Sequence, residues 1–223
     1  MDDWFIPVFL LAASLWMIWL IQELQAVTHQ PPAPKFALWL ATIVTGVATV
    51  AFFPFKATFR RLNRGERGEL ETADALDELK SDGYRIIHSI VRPHCDIDHV
   101  LVGPAGVFAV ETKFRSGRGQ IEFRNGEGLF VAGRAEEKDC LSQAIGNAAE
   151  VRKLIREHCG IDPWVKALIV FVGDWRVKNN WRDTDTLVLT PDKIVASIRE
   201  LQPELKRSEI QLIASHLERS ARS

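Results

Sequence analysis

The chain of 223 residues has only three cysteines, Cys95, Cys140 and Cys159. They are odd in number and show no CxxC spacing, which excludes a disulfide framework and a zinc ribbon. The His-Cys dipeptides at 94–95 and 158–159 have no second pair at a ligand spacing, so they are read as ordinary core or surface residues. A surplus of one charge is also missing, since the formal net charge is −1. Every Lys and Arg except Lys35, and every acid except Asp2, Asp3 and Glu23, falls within 56–223, where 27 bases face 26 acids. A net of about +1 lacks the basic footprint of a tight duplex binder. There is no internal repeat and no low-complexity tract, which excludes repeat architectures.

Charge is missing altogether from two stretches, the 18 residues Trp4–Ile21 and the 20 residues Phe36–Phe55. As helices they would rise about 27 and 30 Å, the thickness of a bilayer's hydrocarbon core. Buried core helices carry a polar stripe on one side, and these carry none. Two membrane spans are therefore expected. The start Met1-Asp2-Asp3 lacks the basic residues of a signal peptide, so the first span is expected to stay as an anchor. Ala41, Thr45 and Thr49, with Thr42 and Gly46, give the second span a small-residue face on which the first can pack as a hairpin. The connector Gln22–Lys35 has one basic residue, whereas Lys56, Arg60, Arg61, Arg64 and Arg67 follow the second span. That asymmetry places the N-terminus and the C-terminal domain in the cytoplasm, with the basic stretch against lipid headgroups. The expected organisation is a multi-pass anchor over 1–56, a basic linker over 57–64 and a cytoplasmic domain over 65–223.

The domain reads as α/β, with a central mixed sheet flanked by helices. Leu70, Ala73, Leu76 and Leu79 predict a helix over 68–81. Strands are expected at 84–91, at 96–102 and 107–114 as a hairpin, and at 119–124 and 128–132. Asp139 is placed to cap a helix reaching about His158, with Leu141, Ala144, Ile145, Ala148, Val151 and Ile155 inward. Val165–Val172 is almost continuously apolar, as in a strand covered on both faces. A strand at 186–189 and helices at 191–201 and 208–219 follow.

The stretch "DIDHVLVGPAGVFAVETK" (96–113) puts acids and a lysine around a turn in an apolar setting. With Pro104 and Ala105 at the tip of the turn, paired positions sum to 209. Asp98 then opposes Glu111, Lys113 shares the face of Glu111, and Asp96 opposes Lys113. Opposed carboxylates are destabilising without a counter-charge. Hard cations bound by oxygen ligands supply one, and ion pairs with basic neighbours at a strand end are the alternative on spacing alone.

Three blocks, Gly65-Glu66-Arg67-Gly68-Glu69, Asp96-Ile97-Asp98-His99 and Val110-Glu111-Thr112-Lys113, resemble the nuclease-related domain (NERD). That family is similar to the PD-(D/E)xK nucleases. The resemblance covers about 64–175, through Gln143 and the strand from Val165; Cys140-Leu141-Ser142 departs from the proline common before that glutamine. It implies a restriction-endonuclease-like fold and metal-assisted phosphodiester hydrolysis of nucleic acid, DNA foremost. Asp98 and Glu111 would hold Mg²⁺ or Mn²⁺, and Lys113 would position or polarise the attacking water. Glu69 would reach the site from the first helix, Gln143 would join from the long one, and Asp96 would stand behind them. Lys113, Arg115, Arg118, Arg124 and Arg134 are the candidate basic patch. Trp164, Trp175 and Trp181 are candidates for base stacking, with core packing as their competing role. The alternative function is a catalytically silent, membrane-tethered nucleic-acid-binding or scaffolding module.

Overall fold

The computed structural model describes residues 5–28, 43, 46–47, 63–92, 95–124, 127–136, 140–179 and 185–221. The chain divides into two units, Met1–Asn63 and Arg64–Ser223. In the first, helix α1 spans Phe5–Val27. Among the described residues no helix is long and apolar enough to cross a membrane. The backbone of α1 has the length, at 23 residues, but its side chains are described only in part. The second expected span, 36–55, lies almost wholly outside the described residues.

The second unit is built on a seven-stranded mixed sheet. Helix α2 covers 63–77 and tightens into a 3₁₀ turn, Glu78–Asp82. Strands β1 (Arg85–Arg92), β2 (Cys95–Gly103) and β3 (Gly106–Arg124) are antiparallel neighbours in that order. β4 (Gly128–Val131) and the short β5 (Arg134–Ala135) extend the far half of β3. Helix α3 (Cys140–Cys159) then leads to β6 (Val165–Asn179), which runs parallel to β3 along its other side, with β7 (Thr186–Leu189) parallel beyond it. Helices α4 (Pro191–Arg199) and α5 (Arg207–Ser220) complete the chain.

Two cores follow from strand alternation. Val165, Ala167, Ile169 and Phe171 of β6 point into one core, with Ala144, Ala148, Val151 and Ile155 of α3 and Ile210, Ile213 and Leu217 of α5. Leu168, Val170 and Val172 point into the other, with Leu76, Leu79, Ile194 and Ile198. A strand buried on both faces cannot alternate in polarity, which is why Val165–Val172 is a continuous apolar run.

Two expectations on this unit are corrected. The strands expected at 107–114 and 119–124 are one strand of 19 residues, bent through an irregularity between Phe114 and Arg118. The bend depends on Gly173 opposite it, whose φ is +126° and where a Cβ would lie 2.5 Å from the Arg115 carbonyl oxygen. Trp175 closes the bend by donating its indole N–H to that same carbonyl (3.0 Å). Secondly, Ile145 is half exposed; the buried stripe of α3 includes Cys140, Asn147 and Leu154 instead. Asp139, expected as the cap of α3, lies outside the described residues.

Candidate active site

The β2–β3 ladder has the expected register, Gly103↔Gly106 through His99↔Val110. It ends there. Asp98 and Glu111, next in line, do not form a ladder pair. Two local causes are visible. Ser89, across from Asp98 on β1, sits at φ +53°, a left-handed conformation uncommon for a residue with a Cβ. The Asp98 carboxylate also accepts the Thr112 N–H through Oδ2 (2.7 Å), taking a donor that a continuing ladder would have used. Ile97 and Val100 consequently share one core, although their odd spacing would put them on opposite faces. β4 pairs with β3 from Ile121↔Val131 to Arg124↔Gly128 and no nearer the hairpin. Between Val110 and Ile121 the β2/β4 side of β3 is therefore open, and Glu111 and Lys113 stand at the start of the opening.

Alternation directs both side chains to the α3 face. Lys113 Nζ donates to Glu111 Oε1 (2.5 Å) and to Gln143 Oε1 (2.9 Å). One turn along α3, Asn147 Nδ2 donates to Glu111 Oε2 (2.9 Å) and to the Asp96 carbonyl (3.4 Å). Glu111 is thus a carboxylate only 3% exposed, held at both oxygens.

Burial pushes the Glu111 carboxyl above its usual range, and the charge of Asp98 pushes it further; hydrogen bonds from Lys113 and Asn147 pull it back. Burial also raises Asp98, opposed by the Thr112 N–H and the Lys113 charge, while Asp96 adds to the rise. Both acids resist ionisation, as like charges sharing a desolvated site do.

Of the five expected site residues, Asp98, Glu111, Lys113 and Gln143 converge. Glu69 stays at the flank. Its side chain is exposed and makes no hydrogen bond to these four, because the buried stripe of α2 runs through Gly68, Thr72 and Leu76 instead. It still feels the site: partial desolvation raises its pKa, followed by the charges of Asp98 and Glu66. Gly68 lets α2 lie close on β3, its missing Cβ facing Phe114 Cβ at 3.4 Å and Thr112 Cγ2 at 3.5 Å. Asp96 does not oppose Lys113; it pairs with Val91 on β1 and contributes its backbone carbonyl. Asn147 escaped the sequence reading, and the only signal for it is an amide four residues after Gln143 on a helix face that is otherwise apolar.

The expected basic patch is partly neutralised. Arg115 pairs with Glu136, and Arg124 with Glu122 and Glu127. Two open pockets at the β3–β6 bend carry arginines and acids together. One, of about 350 Å³, is lined by Arg67 and Arg115 with Glu71 and Asp174, and the other, of about 810 Å³, by Arg118 and Arg176 with Asp174. A further cavity of about 860 Å³ lies on the other flank of α3, and none of the converging residues lines it. Trp164 borders that cavity at 47% exposure with Arg152 over its ring, so it is not the core residue its competing role implied. Trp175 is half-buried in the bend, and Trp181 lies outside the described residues.

Among the described residues no group of three or more His, Cys, Asp and Glu side chains is gathered to hold a metal ion. The fit of a divalent cation rests on the donors present. Asp98 and Glu111 are hard oxygen donors whose mutual repulsion calls for a counter-charge, and Mg²⁺ commonly binds one or two carboxylates while keeping several waters. The residues suit that class of ion.

Among known proteins, no curated protein and no solved structure matches this chain. A family model does match, described as the nuclease-related domain and aligned to residues 64–172. The match takes in α2, the β2–β3 hairpin, α3 and the β6 strand as far as Val172, and so every residue of the cluster. Residues 64–172 of this chain are a NERD domain, a member of the nuclease-related family.

Proposed function

We propose that the domain is a metal-dependent nuclease that hydrolyses phosphodiester bonds of nucleic acid, DNA foremost, at the mouth opened where β2 and β3 part. The observation that carries this reading is the chain Gln143–Lys113–Glu111 with Asp98 across from it: two desolvated acids and an ammonium at one point on a sheet edge. Asp98 and Glu111 are the residues that would hold Mg²⁺ or Mn²⁺. Such an ion lowers the pKa of a bound water and offsets charge on phosphate. Lys113, held by Gln143, directs its Nζ beside Glu111, where it can orient an attacking water and stabilise negative charge developing on a phosphate oxygen. Glu69 sits near enough to feel the charge of Asp98. The arginines rimming the bend pockets offer backbone-phosphate contacts with little net charge to spare, which suits turnover better than tight binding.

The apolar stretches 4–21 and 36–55 support a membrane anchor ahead of the domain, with 57–64 as basic linker and the domain on the cytoplasmic side. One observation favours a second reading, a silent nucleic-acid-binding module: both Glu111 oxygens are already taken, by Lys113 and Asn147.

The test uses the full chain in detergent, with linear and circular DNA and with RNA, with and without Mg²⁺ or Mn²⁺. Metal-dependent cleavage is expected, lost in Glu111→Gln. In Lys113→Ala turnover should fall by about 100-fold or more, with metal affinity changed only a few-fold. Binding without cleavage would establish the silent module. Cleavage that persists undiminished in Glu111→Gln would remove the site assignment.

A further inference from the structure

We infer that Asn147 is the positioning residue that sets Glu111 against Asp98, and this rests on the metal-dependent reading above. Asn147 is 2% exposed on a helix whose buried positions are otherwise apolar or sulfur-bearing. A polar side chain there costs stability unless its hydrogen bonds repay it. Both recorded bonds of its Nδ2 go to the site. One fixes Glu111 Oε2 on β3, and the other fixes the Asp96 carbonyl on β2.

Those two anchors lie on the strands that have just parted. Beyond His99↔Val110 no ladder pair ties β2 to β3. Apart from the Asp98–Thr112 bond, the amide of Asn147 is the link recorded between them on the α3 face. Asp96 is two residues from Asp98, so holding its carbonyl also limits where the Asp98 carboxylate can swing. The Asn147 donor is neutral. It can therefore fix a carboxylate without competing for the place of a cation, whereas Lys113 brings a full charge to the other oxygen. An uncharged donor on one side and a charged one on the other give Glu111 a defined lone-pair direction. Partners of this kind behind a metal ligand are worth about 10- to 100-fold in metal affinity.

A role in mere stability and a role in positioning predict different Mn²⁺ affinities for one substitution. Asn147→Leu keeps the branched shape but removes the donor, so Glu111 Oε2 and the Asp96 carbonyl each lose a partner. The measurement is Mn²⁺ binding to the full chain in detergent by titration calorimetry, beside its unfolding midpoint without metal. The expected result is a folded protein with a lowered midpoint and Mn²⁺ affinity about 10- to 100-fold weaker than wild type; a lowered midpoint with wild-type affinity is what a merely structural role gives. Asn147→Ala is the second variant, expected to weaken Mn²⁺ binding to the same degree. Wild-type affinity in a folded Leu or Ala variant would overturn the inference and leave the nuclease reading intact. If neither variant folds, Asn147 is a structural residue and the inference falls. A wild type that binds no Mn²⁺ would overturn the metal-dependent reading, and this inference with it.

Discussion

His99 follows Asp98 in the chain and points the other way, beneath α2. It is 4% exposed, and its Nδ1 lies 3.0 Å from Nδ1 of His88. Burial, then the charge of His88, lowers its pKa from 6.5 to about 4. A base whose folded pKa is depressed is protonated first in the unfolded chain. Stability should therefore fall as pH drops from about 6.5 through 4, and change no further from this source outside that window. The size is about 2–4 kcal/mol for a shift of this order. Denaturant unfolding of wild type and His99→Gln from pH 4 to 7 should show the steeper slope in wild type; parallel slopes would mean that His99 does not carry it. The sequence made Asp98, Glu111 and Lys113 legible because strand pairing is arithmetic once the turn is known. It left Asn147 unread because a buried amide and a solvated one look alike in a helix, and only the partners at the far end of the bond tell them apart.

The β3–β6 pair decides how much of that arithmetic survives at the level of whole elements. β7 and the apolar half of β6 were fully legible, since burial on both faces writes itself as an unbroken apolar run. The length of β3 was not. Arg115-Ser116-Gly117-Arg118-Gly119 has the composition of a loop, yet the backbone passes through it as a bent strand. What the composition marks is the bend. Gly173→Ala should cost roughly 2 kcal/mol or more, from a strained left-handed φ and from contact with the Arg115 carbonyl. Gly128→Ala is the control, with a positive φ and nothing within 4 Å of the added methyl, so only the conformational part applies. Urea midpoints for both, at unchanged m-value, separate the two contributions. Equal losses would mean that the close approach at Gly173 contributes nothing. The ladder end at His99↔Val110 was missed for a related reason. Pairing rules extend a register indefinitely, and only the competing claim of the Asp98 carboxylate on the Thr112 N–H stops it.

For the molecule as a whole, the sequence divides more sharply than any element within it. Two charge-free stretches precede a domain in which bases and acids nearly balance. The proposed topology leaves only residues 22–35 on the outside. Protease added to intact spheroplasts should cut there and spare the domain, and lysis should expose it. Release of a fragment carrying Glu111 from unlysed spheroplasts would reverse the orientation. Tethering would also restrain diffusion, so a near-neutral domain would meet substrate by proximity to the membrane more than by electrostatic attraction.

The family match stops at residue 172, but the fold does not. β6 continues to Asn179, β7 pairs along its flank, and Ile210, Ile213 and Leu217 of α5 close one core while Ile194 and Ile198 of α4 close the other. The matched segment is thus a boundary of resemblance and not of foldability. Excised at Val172, it would carry every acid and amide of the cluster while leaving each apolar sheet face only partly covered, by α3 on one side and α2 on the other, and a strand edge unpaired, the ingredients of aggregation. A transplant of this chemistry into another protein has to take the chain onward through Leu217. The chemistry occupies the first two-thirds of the domain, and the last third is what keeps it in solution.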